Sequence, residues 1–190
     1  MAILGTLLKH VRAGEVRLAW NLPALAGPET LDLRSADFRH DGTIPVSHIG
    51  RRAGGQNLSP SLAWTGVSPD AVQLLLVVQD VDTPTRSPFV HCVALVPPEL
   101  GTLPVGALNA GSTVPGLRVL RSGMGQGYMG PKPIKGHGPH RYVFQLFALP
   151  AAITSAEVGT ALDAARPRSV FAAAGGPVLA RGRLDGLYAR

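Results

Sequence analysis

The sequence predicts a β-rich single domain, and three observations carry that prediction. With 23 Gly and 17 Pro among 190 residues, the chain is cut into short pieces that suit turns and brief strands better than long helices. Apolar runs of strand length at 72–78, 90–96 and 141–149 are almost free of polar residues, the pattern of strands covered on both faces. After Pro150 the spacing changes from strand-like to helical. A chain of this size buries roughly 70% of its unfolded surface as one domain, so neither metal nor disulfide is needed to hold it.

The elements follow in order. Ile3, Leu4, Leu7, Leu8 and Val11 recur at helical spacing, predicting a short amphipathic helix closed by Ala13-Gly14. Its apolar face suits packing on its own domain, contact with a second copy, or a weak hold on a membrane surface. Leu22-Pro23 and Gly27-Pro28 then break the chain, so residues 1–28 are an N-terminal helical extension and 29–190 the β domain. Leu31 to Phe38 reads as an edge strand, followed by a turn at Asp41-Gly42. Val72 to Val78 is the central strand, with Val90 to Val96 and Arg141 to Leu149 beside it. The Gly/Pro-rich stretch from Pro97 to Pro139 is too long for an idle connection. Thr154 and Glu157 form a capping box, and Val158, Ala161, Leu162 and Ala165 continue on one face, predicting a helix that Pro167 stops. A shorter helical or irregular piece lies around Val170 to Ala180, and Arg183 to Tyr188 closes the fold as a strand.

Composition excludes several classes. Cys92 is the only cysteine, so no intrachain disulfide or cysteine-rich metal site exists. No apolar run approaches the roughly 20 residues of a membrane span, and the apolar N-terminus runs at once into Lys9, His10 and Arg12 without a cleavage site. Cytoplasmic residence is the expectation. The formal charge of +6 favours anionic partners. Its lysines and arginines are scattered without interleaved aromatics, which argues against nucleic acid.

Three segments place polar residues on apolar strands. Asp80 and Asp82 end the 72–78 strand, with Pro84 beyond. Alone they would be turn chemistry. His91 stands between Val90 and Cys92, where a lone histidine is more often a satisfied core residue than a ligand. Gly130-Pro131-Lys132-Pro133 leads through His137 to His140-Arg141-Tyr142, and strand alternation puts His140 and Tyr142 on one face, about 6.7 Å apart.

Together these segments resemble the phosphatidylethanolamine-binding (Raf kinase inhibitor-like) family, in its bacterial and archaeal branch. Asp41-Gly42-Thr43-Ile44-Pro45, Asn57-Leu58-Ser59-Pro60, Phe89-Val90-His91 and Gly182-Arg183-Leu184-Asp185-Gly186 extend the likeness over 31–190. The resemblance implies a two-sheet antiparallel Greek-key β fold with short peripheral α-helices, and a small pocket for phosphate-like or carboxylate anions. Carried over, the pocket residues are Asp80, Asp82, Pro84, His91, Gly130, Pro131, His140 and Tyr142, with no cofactor, metal or catalytic residue. In that pocket Asp80 is expected to fix the tautomer or charge of His91 or His140, while the histidines, the Tyr142 hydroxyl and backbone N–H groups near Gly130 meet the anion.

The alternative is a hydrolase using Asp, His and Tyr as acid and base, or a metal held by Asp80, His91 and His140. Neither a Gly-x-Ser-x-Gly elbow nor a cysteine beside a base is present, since Cys92 alternates away from His91. Eukaryotic relatives bind kinases or transcription factors, which implies a regulatory protein partner such as a kinase. A homodimer is also expected, formed through the N-terminal helix and the apolar stretch Val114 to Leu120.

Overall fold

The computed structural model describes residues 2–190. Its strands are β1 (Asp32–Arg34), β2 (Gly42–Thr43), β3 (Leu62–Thr65), β4 (Gln73–Asp80), β5 (Phe89–Val96), β6 (Thr102–Leu103), β7 (Arg118–Val119), β8 (Arg121–Ser122), β9 (Gly125–Gln126), β10 (His140–Leu149) and β11 (Ala180–Tyr188), with short helices α1 (Ala2–Leu8), α2 (Ser155–Val158) and α3 (Pro167–Ala172). A six-stranded sheet runs β2-β11-β10-β4-β5-β7, a three-stranded sheet runs β1-β3-β6, and β8-β9 form a separate ribbon. All pairings are antiparallel except β2 with β11. The fold is therefore mainly β with peripheral helices.

The uninterrupted apolar runs arise because the large sheet is covered on both faces. Leu74, Leu76 and Val78 of β4 and Tyr142, Phe144 and Leu146 of β10 meet Leu33, Leu62, Trp64 and Leu103 of the small sheet. The alternate residues Leu75, Val77, Val93, Leu95, Phe147 and Leu149 face the other way, beneath Ala19, Leu25, Leu162, Val170 and Phe171. Each such side chain contributes about 1.5–3 kcal/mol by leaving water. Two glutamines break the pattern: Gln79 and Gln145 are buried, and their carbonyl oxygens accept the Ala19 and Trp20 backbone N–H groups at 2.9 and 2.7 Å. They fasten residues 19 and 20 to the outer face of the sheet.

Two expectations need correction. The capping box forms, with the Thr154 N–H donating to Glu157 at 2.6 Å, but α2 ends after one turn because Gly159 adopts the left-handed conformation at φ 70°. Pro167 opens α3 at its first turn instead of stopping a helix, since that turn needs no N–H there. Leu162 and Ala165 share a side because successive turns face one core. The 114–120 stretch gives most of its apolar surface to the chain's own core. Val119 and Leu120 are buried, and Val114 and Leu117 pack against the chain's own inter-sheet core.

In α1, by contrast, Ile3, Leu4 and Leu7 stand exposed. Its other side lies so close to the 135–137 loop that a Cβ on Gly5 would fall 2.1 Å from the Lys135 carbonyl oxygen.

Candidate functional site

The site grows from the ends of three strands. Tyr142 lies opposite Asp80 in the β10–β4 ladder, and side-chain alternation carries the inward face from Val78 to Asp80 and from Phe144 through Tyr142 to His140. The inter-sheet core thus turns polar at one end.

β5 delivers His91 by an irregularity. Cys92 pairs with Val78 and Val90 with Gln79, so His91 is the extra residue of a β-bulge, a device that re-aims a side chain. The His91 ring packs edge-on against Tyr142 with centroids 5.1 Å apart. Cys92 belongs to the same inward cluster as Tyr142, so the expectation that Cys92 alternates away from His91 is wrong. The bulge puts both on one side. Burial pushes the Cys92 thiol up to about 12, which leaves it protonated and inert.

The polar groups form a chain. Asp80 Oδ2 lies 2.7 Å from His140 Nδ1, His140 Nε2 lies 2.8 Å from His137 Nδ1, and His137 Nε2 lies 2.8 Å from the Leu8 carbonyl oxygen. A backbone carbonyl only accepts, so His137 Nε2 carries hydrogen, and each of the other two contacts needs one bridging hydrogen. Asp80 is therefore tied into the wall by His140 and does not stand alone before an incoming anion. Its other oxygen accepts the Asp82 N–H at 2.8 Å. Of the two histidines expected to be oriented by Asp80, the hydrogen bond goes to His140.

His91 is held differently. Its Nδ1 lies 2.5 Å from the Met129 carbonyl oxygen, which fixes that nitrogen as the donor and leaves Nε2 as the ring's free acceptor. Burial holds the imidazole below its usual pKa, against the opposing pull of the Asp80 charge and the Met129 bond. The Tyr142 hydroxyl is buried and makes no hydrogen bond of normal geometry. Burial first, then the neighbouring Asp80 charge, raises its pKa, so it remains a donor.

These groups line a cavity of about 310 Å³ that brings together Asp80, Pro84, His91, Gly130, His140 and Tyr142. The rings of His140 and Tyr142 stack with centroids 6.4 Å apart. Asp82 and Pro131 are not in its wall. Asp82 accepts the Arg141 N–H at 2.7 Å and pairs with Arg12 at 2.5 Å, while the Pro131 carbonyl accepts the Gly50 N–H at 2.9 Å. The Gly130 N–H is not open to a ligand either, since it donates to Asn57 Oδ1 at 2.8 Å. Gly130 is required by packing: a Cβ there would meet the His48 carbonyl oxygen at 2.3 Å.

Sequence reasoning missed the apolar part of the wall, Phe89, Met129 and Ile134, and the lysine at its edge, Lys132. It also missed the role of Asn57, which adopts φ 60° and bridges the Tyr128 carbonyl and the Gly130 N–H. The signal for Asn57 was its place in the Asn57-Leu58-Ser59-Pro60 stretch. Among the described residues, the one group of potential metal ligands, His40, Asp41 and Asp185, is elsewhere. Arg141 already bridges its two carboxylates, at 2.5 and 2.6 Å.

Comparison with known proteins bears on the family and the fold. The family model described as phosphatidylethanolamine-binding protein matches residues 34–189. The chain is 31% identical over 156 residues to the fungal Phomoidride biosynthesis cluster protein B, covering 77% of this chain and 74% of that protein. It is 33% identical over 162 residues to a UPF0098 protein of Methanothermobacter thermautotrophicus, covering 84% and 99%. Among solved structures, Escherichia coli YbcL, described as a new member of the mammalian PEBP family, shares the fold with a TM-score of 0.73 at 24% identity, over 85% of this chain and 99% of that one.

Proposed function

The chain belongs to the phosphatidylethanolamine-binding protein family, and from that premise we propose that the cavity at the ends of β4, β5 and β10 binds a small phosphate-like or carboxylate anion in a regulatory or ligand-sensing role. One observation carries the reading: the Tyr142 hydroxyl is buried in that cavity beside the Asp80 carboxyl group and the Lys132 backbone, with no hydrogen bond of normal geometry. A buried donor so poorly satisfied is completed by an incoming oxyanion. His91 Nε2 supplies a second contact, either accepting a hydrogen from a protonated ligand or taking up a proton as the charge arrives. Lys132 adds positive charge at the edge, and Phe89 and Met129 exclude water from the contact, which strengthens it. Asp80 and His140 act by holding the wall in place.

No observation favours the hydrolase alternative. Both ring nitrogens of His140 are engaged, by Asp80 and by His137, so this histidine offers no free base to a substrate.

Calorimetric titration with inorganic phosphate tests the proposal. Tyr142→Phe should weaken binding about tenfold, the loss of one hydrogen bond to a charged group, and Asp80→Ala should weaken it by releasing His140 from the wall; undiminished affinity in both rejects it. The apolar face of α1 is the proposed contact for a homodimer, to be checked by light scattering with and without residues 1–14. A kinase or similar protein partner and cytoplasmic residence go with the regulatory reading, and affinity capture and cell fractionation address them. Among the described residues no helix is long and apolar enough to cross a membrane.

A further inference from the structure

A pair of further cavities adjoins the first, the larger of them sharing Thr85 and Phe89 with its wall. One, of about 700 Å³, is lined by Arg86, Arg121, Arg166 and Arg168 over Phe89 and Val90. The other, of about 510 Å³, shares Ser87, Pro88, Val90 and Arg168 with it and adds Arg17. No acidic side chain lines either one. The acids nearest along the chain are committed to other arginines: Glu15 to Arg183, Asp82 to Arg12 and Asp163 to Arg118.

The contacts these arginines do make are with neutral groups. Arg168 and Arg17 both donate to Ser87 Oγ, at 2.7 and 3.3 Å, and Arg17 also donates to the Arg86 carbonyl at 3.3 Å. Two guanidinium groups therefore converge on a single hydroxyl, which cannot offset their charge. Five exposed guanidinium groups thus line the two adjoining recesses with no acid among them, and an anion seated there offsets their charge.

We infer that the paired cavities form a second anion site, for an organic molecule carrying at least two phosphate or carboxylate groups on an apolar body. The forked donors of arginine match those groups two bonds at a time. The floor of Phe89, Val90 and Pro88 takes the apolar part. Volumes of this size are those of small-molecule sites rather than of surfaces that grip a folded partner.

The test uses the full chain carrying Tyr142→Phe, which removes the donor of the first cavity, titrated at low salt with adenosine triphosphate and with inorganic tripolyphosphate. Both should bind, the nucleotide at least threefold more tightly because of the apolar floor. Adding Arg121→Ala and Arg166→Ala, both exposed positions, should weaken each by tenfold or more with the melting temperature unchanged. Failure of the Tyr142→Phe chain to bind either probe overturns the inference, as does undiminished binding after the arginines are removed. A nucleotide that binds no better than tripolyphosphate overturns the apolar part of the ligand class.

Discussion

His137 Nε2 donates to the Leu8 carbonyl oxygen at 2.8 Å, so the ring that touches His140 also holds the last turn of the N-terminal helix. The link runs from Asp80 in the cavity wall to a helix whose Gly5 also closely approaches the 135–137 loop. His137→Ala removes the donor to Leu8 and the partner of His140 together. The expected cost is about 1–3 kcal/mol, the penalty for orphaned buried polar groups, with faster amide exchange over residues 3–11. Chemical denaturation and hydrogen exchange read both, and unchanged protection of that segment refutes the link.

Tyr142→Phe should separate function from stability. The hydroxyl is buried without a hydrogen bond of normal geometry in the free protein, so removing it should raise stability by up to about 1 kcal/mol while phosphate affinity falls. Thermal melts without ligand, set beside the titration, give the two signs. A loss of stability would mean that the hydroxyl has a partner after all.

Asp185 sets the acid limit. Its carboxylate is buried, which opposes ionisation, but Arg183 at 2.7 Å and Arg141 at 2.6 Å outweigh that and hold its pKa below the ordinary value of 3.8. A pKa depressed by folding gives stability that is complete above the unfolded value and is lost as pH falls through the folded one. The loss should therefore develop below about pH 4, in the range set by that unfolded value. Asp185→Asn should cost about 2 kcal/mol at neutral pH, less than a fully buried pair because Arg141 is partly exposed. The variant should also melt with a flatter pH dependence below pH 4. An acid profile identical to that of the parent chain refutes the assignment.

Much of this was written in the sequence, and what was not has physical causes. The strands β4, β5 and β10 were legible because burial on both faces leaves no polar residue to interrupt them. His140 and Tyr142 were legible as one face because strand alternation fixes their side, whereas Asp80 entered through the family resemblance. The bulge at His91 was not, since a one-residue insertion is defined only by the register of the partner strand. The reach of His137 to Leu8 joins residues 129 positions apart, beyond any local pattern. Pro167 was misread because an apolar spacing of three and four residues fits one helix and a series of turns over one core equally well. The arginine recess was invisible for a similar reason: its five members come from four separate stretches, and in the sequence they look scattered.

His91 makes the anion site sensitive to protons. In the free protein burial keeps the ring neutral to a lower pH than an exposed histidine, and an anion beside Nε2 pulls the other way by favouring the imidazolium. Binding should therefore take up a proton, and affinity should rise as pH falls. Sulfate is the suitable probe because it remains a dianion throughout, so any titration belongs to the protein. Its affinity should increase from pH 8 to pH 5.5 by no more than about tenfold per pH unit, the limit for one linked proton. Calorimetry in two buffers of different ionisation enthalpy should show fractional proton uptake, and His91→Gln should abolish both effects while binding remains measurable through Tyr142. Sulfate affinity that stays flat over this range would exclude His91 Nε2 from the anion contact.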